Sequence, residues 1–335
     1  MIIRYVLAVL LVGLAVPSFM LAQDESPYDF KISKSFLTRL ADEGIQPVVS
    51  LSLDHRTKKV HVLSADCEIH IASTPQGWEP GDPDSVVVEP PNLCKFPPVD
   101  NKTKVSETAL RESVWPKLLD ARVMGKTCEV QGFPRVFTEH ASGGEDPANP
   151  NHVFEIHPAT SITCGGKKLN FTSFVTAIQG MRAIKPETAA SCVENRKLEV
   201  RFAGGDYELR ESGGQCGNFA IVEIGYLNPA WIHQIKGGHS AIAKVSLDGA
   251  SRATLKIYTL SGSKADAWLA SVKQSGLGKR RRLMHGMFSY DYFEILRAVR
   301  KPDGQWIDPA DWTPVKFPLA LVLFGETKTV PWKEP

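Results

Sequence analysis

The sequence has 335 residues, of which 43% are hydrophobic and 23% charged, and its formal net charge is +2. This length suits one large domain or two ordinary ones, and the composition is that of a globular protein rather than a disordered chain. The nearly balanced charge gives no indication of nucleic acid or an anionic membrane as a partner.

The first 22 residues have the layout of a secretory signal peptide. One basic residue, Arg4, precedes an apolar run at residues 5–16, and polar residues follow at 23–25. This order predicts export, with cleavage after Ala22; an uncleaved N-terminal anchor is the alternative. No later stretch of the sequence is long and apolar enough to span a bilayer. We therefore expect a secreted or periplasmic protein, without the cysteine of a lipoprotein near the cut.

The first half is mainly β-patterned. After a helix-like stretch that ends at Gly44, short runs alternate apolar and polar residues as strands do: "PVVSLSLDH", "KKVHVLSADCEIHIAS" and "DSVVVEP". The segment "VSETALRESVWPKLLDARV" instead has apolar residues at helical spacing. Ser106 is its expected N-cap, and Pro116 predicts a kink or two short helices. Strand patterns resume in "KTCEVQGF", "RVFTEH", "HVFEIHPATSIT" and "KKLNFTSFVTAIQG".

The second half mixes strands with helices. Hairpins are expected at Gly204-Gly205 and at Asp248-Gly249, and "NFAIVEIGYL" and "FPLALVLFG" predict further strands. One helix is expected between Ser263 as N-cap and Gly276 as terminator, and another in "SYDYFEILRAVRK". No sequence period indicates a solenoid or propeller.

These patterns predict a mainly β protein whose second half is α+β. Several strands, a helix and more strands within about 150 residues fit an OB-like small barrel, and a β-sandwich fits nearly as well. We expect three regions: a signal peptide at 1–22, a β-rich OB-like domain at 23–185, and an α+β domain at 186–335.

Six cysteines follow the predicted signal. Their even number, in an oxidising compartment and without C-x-x-C spacing, favours disulfides over a catalytic thiol or a zinc knuckle. Fifteen pairings are possible. We expect the sequential one, which closes loops of about 25–35 residues, each contributing on the order of 3 kcal/mol. That pairing joins Cys67 to Cys94, Cys128 to Cys164, and Cys192 to Cys216.

The triplet Glu-Ile-His occurs twice, at Glu68–His70 and at Glu155–His157. Side chains alternate faces in a strand, so each Glu shares a face with the His two residues later. If the two strands are neighbours, two carboxylates and two imidazoles meet and could bind zinc or another divalent metal, or perform acid–base chemistry. A solvated polar strand face explains the same pattern without a function. Pro158 predicts that the second strand ends there or lies at an edge.

The ordered motifs "DCEIHIAS", "VVVEPPNLC", "CEVQGFPRVF" and "NPNHVFEIHPATSI" resemble those of a family of exported bacterial proteins. The resemblance covers about residues 60–165. It implies a shared domain and export but no reaction, because the family has no assigned activity. This chain differs in having Ala159 where the family has Val, Pro90-Pro91 after the third strand, and a long C-terminal region.

Several enzyme classes lose support because their motifs are missing from the sequence: G-x-S-x-G, H-E-x-x-H, the phosphate-binding G-x-x-x-x-G-K-[ST], and G-x-G-x-x-G after a strand. Two hypotheses remain. The first is a binding or interaction protein with an unidentified ligand or extracellular partner. The second is a metal-dependent hydrolase that uses Glu68, His70, Glu155 and His157.

Overall fold

The fold was analysed in a computed structural model. The structure describes residues 28–41, 49–55, 60–62, 68–77, 85–98, 105–136, 150–175, 183–213, 217–276 and 281–328. The predicted signal peptide, residues 137–149, and the cysteines at 67 and 216 lie outside these ranges.

The elements of the first half are the strands and helices β1 Tyr28–Ser33, α1 Lys34–Ala41, β2 Val49–His55, β3 Val60–Val62, β4 Ile69–Pro75, β5 Val86–Val88, α2 Glu107–Ala109, α3 Trp115–Val123, β6 Lys126–Val136, β7 Phe154–Cys164, β8 Lys167–Asn170 and α4 Thr172–Val175. A π-helical turn, Leu110–Val114, joins α2 to α3. The elements of the second half are α5 Pro186–Asn195, β9 Lys197–Ala203, β10 Asp206–Ser212, β11 Phe219–Leu227, β12 His233–Ile235, β13 Gly238–Ser246, β14 Ala253–Thr259, α6 Lys264–Ser275, β15 Arg282–Asp291, α7 Tyr292–Val299, β16 Thr313–Pro314 and β17 Leu319–Glu326.

Five strands of the first half close into a barrel, which we call the first barrel: β2, β4, β5, β6 and β7. β4 pairs antiparallel with β2 and β5, β7 pairs parallel with β5, and β6 pairs antiparallel with β7 and β2. This is the strand order of an OB-fold, with the helical segment between the third and fourth strands. Closure satisfies the backbone hydrogen bonds that an open sheet leaves at its edges. The predicted OB-like barrel is confirmed.

Local sequence explains the helix in this barrel. The side chain of Ser106 accepts a hydrogen bond from the amide of Ala109, as an N-cap does. Pro116 lies in the first turn of α3, where the missing N–H is tolerated, and the π turn accommodates it. The predicted helical segment is therefore present, and a π turn interrupts it where the sequence predicted a kink or two short helices.

Five strands of the second half pair in a ring of the same order, which we call the second barrel: β11, β13, β14, β15 and β17. β13 pairs antiparallel with β11 and β14, β17 pairs parallel with β14, and β15 pairs antiparallel with β17 and β11. α6 lies between its third and fourth strands, from the cap Ser263 to Gly276 at φ 67°, as predicted. The second half is therefore α+β, and it repeats the ring of the first half.

The two barrels join through their fourth strands. β6 and β15 pair antiparallel at Val136 with Tyr290 and at Arg135 with Asp291. A separate four-stranded sheet, in the order β1-β10-β9-β16, adds a second connection, because β1 precedes the first barrel in the chain and β10 precedes the second. This arrangement brings the second barrel against one wall of the first.

Cys128 and Cys164 face each other across β6 and β7 and form a disulfide, with 4.5 Å between their Cα atoms. This part of the predicted pairing is confirmed. Cys94 and Cys192 are also disulfide-bonded, and their predicted partners, Cys67 and Cys216, lie outside the described residues. In the part of the chain that the structure describes, no helix has the length and apolar character needed to cross a membrane.

Candidate functional site

The two Glu-Ile-His triplets meet on one wall of the first barrel. Glu68 and His70 lie at the start of β4, and Glu155 and His157 lie in β7. All four side chains are buried. His157 Nε2 lies 2.9 Å from Glu68 Oε1. The strands are not direct neighbours as the sequence suggested, because β5 lies between them.

Glu89, which the sequence reasoning missed, fills the gap between the triplets. It follows β5 directly, two residues after Val87, which pairs with Glu155. Its Oε1 lies 3.2 Å from His70 Nε2, and its Oε2 lies 2.8 Å from His157 Nδ1. Alternation along β5 would have placed Glu89 on the same face as the triplets, but a lone Glu after three valines gives no signal of its own.

Two more residues extend the cluster along β7. His152, just before the strand, places its Nε2 3.3 Å from Glu155 Oε1 and its Nδ1 2.7 Å from the carbonyl oxygen of Pro150. Arg135 lies opposite Glu155 in the β6–β7 ladder and donates to Glu155 Oε2 at 3.3 Å. We call the set Glu68, His70, Glu89, His152, Glu155 and His157 the Glu/His cluster; Arg135 is its neighbouring cation.

Pro158 does not end β7 as predicted. The strand continues to Cys164 with register shifts against β6, and the His157–Pro158 peptide bond is cis. Gly132 of β6 permits this close approach, because a Cβ there would lie 2.4 Å from Ile156 Cγ2 and 2.6 Å from the Pro158 carbonyl oxygen. The site therefore lies in mid-strand, within the wall of the barrel, rather than at its mouth.

The second barrel covers the cluster. At the start of β11, the side-chain amide of Asn218 donates to Glu68 Oε2 at 3.4 Å. The next residue, Phe219, meets the His157 ring edge-on, with 6.3 Å between centroids. Each member of the cluster is at most 4% exposed. The chain thus places six ionisable side chains between two barrels, away from bulk water.

The electrostatics of the metal-free cluster are those of a compact ion-pair network. Burial disfavours charge on His157, but the carboxylates of Glu68 and Glu89 outweigh it and raise the pKa of His157 well above its usual value. Burial also disfavours charge on Glu155, yet Arg135 and His152 hold the pKa of that carboxyl well below its usual value. Against the same burial, hydrogen bonding to Glu155 likewise raises the pKa of His152 above its usual value, so protons on His152 and His157, with the Arg135 guanidinium, balance the carboxylates.

Two atoms of the cluster are close to their neighbours without being well hydrogen-bonded. Neither His157 Nε2 nor Glu89 Oε1 makes a hydrogen bond of normal geometry to any described residue. The facing atoms, Glu68 Oε1 and His70 Nε2, nevertheless lie at 2.9 Å and 3.2 Å. Ligands bound at about 2.1 Å to one ion are separated by about 3.0 Å in octahedral and about 3.4 Å in tetrahedral coordination. The two distances in the cluster are close to these separations, and they also lie in the range of N–H···O hydrogen bonds.

Two sets of three residues offer ligand atoms that all lie within 4.8 Å of one another. One set is Glu68, His70 and Glu89, and the other is Glu89, His152 and Glu155. Imidazole and carboxylate ligands together suit zinc, iron and manganese. The geometry can therefore hold a divalent transition-metal ion, with Glu89 common to both sets.

Comparisons with known proteins give no assignment. The sequence matches no protein-family model and no curated protein, and the structure matches no solved structure. The chemistry of the cluster is therefore the basis for a functional proposal.

Proposed function

We propose that this protein binds a divalent transition-metal ion, with zinc as the first choice, in the Glu/His cluster. The observation that carries the proposal is the convergence of three buried carboxylates and three buried imidazoles, with nitrogen-to-oxygen distances of 2.8–3.3 Å between neighbours. Such residues are the ligands of zinc, iron and manganese sites in proteins. The ligand sets share Glu89 and include three of the four residues expected from the sequence, with His157 between them.

An ion-pair network with only a structural role is a weaker explanation. Removing an ion from water costs several kcal/mol even after relaxation, and well-packed hydrophobic residues often replace a buried ion pair with no loss of stability. In the second barrel, the fifth strand β17 is buried from Leu319 to Gly325 and contains no ionisable residue over that span. The fifth strand of this ring topology therefore does not require ionisable residues.

The burial of the cluster favours metal binding over hydrolysis. A metal-dependent hydrolase needs an open coordination position that the substrate can reach. Every member of the Glu/His cluster is at most 4% exposed, and Phe219 packs against His157 from the second barrel. We therefore propose metal binding as the function and retain metal-dependent hydrolysis as the second candidate.

We also propose that the protein acts outside the cytoplasm, as a secreted or periplasmic protein. The disulfide between Cys128 and Cys164 supports an oxidising compartment. The signal-like residues 1–22 support the same location, as does the resemblance of the motifs over about residues 60–165 to those of exported bacterial proteins.

Zinc affinity, measured on the full chain by competition with a chromogenic chelator, tests the proposal. We expect His70→Ala to weaken zinc binding at least about 100-fold, because even partners outside the first coordination sphere change metal affinity about 10–100-fold. The matched control is His233→Ala, since His233 is an exposed histidine of β12 far from the cluster in the chain. Equal zinc affinity in the wild type and in both variants would refute the proposal.

A further inference from the structure

We infer that the Glu/His cluster holds two metal ions, and that the carboxylate of Glu89 bridges them. This inference rests on the proposed metal binding and goes beyond it by assigning the number of ions and the ligands of each. Glu68, His70 and Glu89 form the first trio, and Glu89, His152 and Glu155 form the second.

The two trios have the same chemistry and share one residue. Each contains one imidazole and two carboxylates, and within each trio the ligand atoms lie within 4.8 Å of one another. A single ion with bonds of about 2.1 Å reaches ligand atoms at most about 4.2 Å apart, across its own diameter. Even with a limit of 4.8 Å between ligand atoms, these residues form two sets of three rather than one set of five. Two ions satisfy this arrangement, whereas one ion leaves part of the cluster unused.

The position of Glu89 suits it to bridge. It follows β5, the strand between β4, which brings Glu68 and His70, and β7, which brings Glu155. Its two oxygens already face different partners, with Oε1 3.2 Å from His70 Nε2 and Oε2 2.8 Å from His157 Nδ1. Two-metal sites have ions about 3.5–4 Å apart, a separation that one carboxylate spans.

His157 lies between the trios and contacts a carboxylate of each. Its Nε2 is 2.9 Å from Glu68 Oε1, and its Nδ1 is 3.7 Å from Glu155 Oε2. The ring is fully buried, and Nε2 has no well-formed hydrogen bond to a described residue. This buried imidazole nitrogen faces Glu68 and is therefore a further donor for the ion of the first trio, whereas Nδ1 lies 2.8 Å from Glu89 Oε2 and 3.0 Å from an Arg135 nitrogen.

Each trio leaves coordination positions that the three protein ligands do not fill. Three ligands make an incomplete sphere for a four- to six-coordinate ion, and at the first trio His157 Nε2 can take one of the unfilled positions.

Metal stoichiometry tests the inference on the full chain. The protein is freed of metal by dialysis against a chelator, titrated with Zn²⁺ alone, desalted and analysed by mass spectrometry of the bound metal. We expect two zinc ions per chain in the wild type and one in each of Glu68→Gln and Glu155→Gln. Glu89→Gln is expected to weaken both ions at least tenfold. The matched control is Glu208→Gln. Glu208 lies on β10, outside the cluster, and pairs with Lys31 of β1 and Arg201 of β9.

A second measurement does not depend on the folding of the variants. Loaded with Mn²⁺ alone, the wild type is expected to give the electron paramagnetic resonance spectrum of two exchange-coupled ions. One bound ion per wild-type chain, with an uncoupled Mn²⁺ spectrum, would overturn the two-ion inference and leave the proposed metal binding intact. No bound ion would overturn both.

Discussion

The two barrels of this protein have the same ring of strand pairings but different walls. In each, the third and fifth strands pair parallel, the other pairs are antiparallel, and a helix lies between the third and fourth strands. The fifth strand of the first barrel is "FEIHPATSITC", whereas that of the second is "LALVLFGE". The same topology thus forms around an ionisable wall in one case and an apolar wall in the other.

The charged residues of the second barrel are also arranged differently. Lys256 lies 2.9 Å from Asp291 Oδ2 and 2.8 Å from Glu294 Oε1, and Tyr258 donates to Asp291 at 2.7 Å. In that group, one central cation bonds both carboxylates. In the Glu/His cluster, by contrast, three carboxylates face three imidazoles, which are metal ligands when neutral. The comparison indicates that the buried ionisable residues of the first barrel are of the types that bind metal ions. Those of the second barrel form a salt bridge around Lys256.

Arg135→Met gives the largest expected effect on stability. It leaves the buried carboxylate of Glu155 without its guanidinium partner, and breaking a buried pair costs about 4 kcal/mol. Lys256→Met in the second barrel is expected to cost a similar amount, since it leaves Asp291 and Glu294 without their shared cation. At one fixed zinc concentration, zinc should then stabilise the Arg135 variant more than the Lys256 variant. Loss of the guanidinium next to Glu155 raises the affinity of the cluster for a cation, whereas Lys256 pairs with Asp291 and Glu294 in the second barrel and its loss leaves that affinity unchanged. At 100 times its dissociation constant, zinc contributes about 2.7 kcal/mol.

Urea denaturation of the metal-free and zinc-loaded variants measures this difference. Arg201→Met is the control, because Arg201 is a partly exposed partner of Glu208, and surface pairs contribute only about 0–1 kcal/mol. If zinc stabilised the Lys256 variant as much as the Arg135 variant, the distinction between the barrels would be wrong.

Removal of the disulfide comes next in size. The double substitution Cys128→Ser and Cys164→Ser opens a cross-link with a sequence separation of 36, which should cost about 3 kcal/mol. The corresponding strands of the second barrel, β15 and β17, contain no cysteine. We therefore expect hydrogen exchange to speed up in β6 and β7 more than in β15 and β17. Equal acceleration in both barrels would show that they unfold as one unit.

The pH dependence of His285 gives a smaller effect, located in the second barrel. His285 is 3% exposed and stacks on Phe219, and burial lowers its pKa to about 4. Its folded pKa lies below its unfolded value of about 6.5, so the unfolded state takes up the proton first. The contribution of the neutral His285 ring to the free energy of unfolding is fully present above about pH 6.5 and is lost as the pH falls toward 4. At pH 5 the loss is about 2 kcal/mol.

The variant His285→Phe removes this titration and keeps an aromatic ring next to Phe219 and Phe324. Between pH 7 and pH 5, the free energy of unfolding of the variant should therefore fall by about 2 kcal/mol less than that of the wild type. The pKa of His157 in the first barrel is instead raised above its usual value, by the carboxylates of Glu68 and Glu89. A parallel pH dependence of wild type and variant would contradict the assignment to His285.

Local features of the fold could be predicted from the sequence because they depend on neighbouring residues. The helix caps at Ser106 and Ser263, the glycine terminator Gly276, and the shared face of each Glu-Ile-His triplet all follow from spacing of a few residues. The disulfide between Cys128 and Cys164 followed from their order in the chain.

Long-range features were beyond the sequence reasoning. The pairing of β1 with β10 joins segments far apart in the chain, and nothing in "YDFKIS" identifies its partner. The second ring has no sequence period to reveal it, since OB-like barrels are specified by apolar alternation rather than by particular residues. Glu89 belongs to the cluster, and Arg135 lies next to it, only because β5 and β6 flank β7. Pro158 was misleading because register shifts against β6 let β7 continue past it.

The most direct test of the central claim is a crystal structure of the full chain grown with zinc, with anomalous data collected at the zinc absorption edge. We expect anomalous density inside the first barrel wall, within about 2.2 Å of a Glu89 carboxylate oxygen and of the His70 or His152 imidazole. We expect no comparable density at Lys256 and its carboxylate partners in the second barrel. A zinc-saturated crystal whose Glu/His cluster holds no metal would contradict the claim.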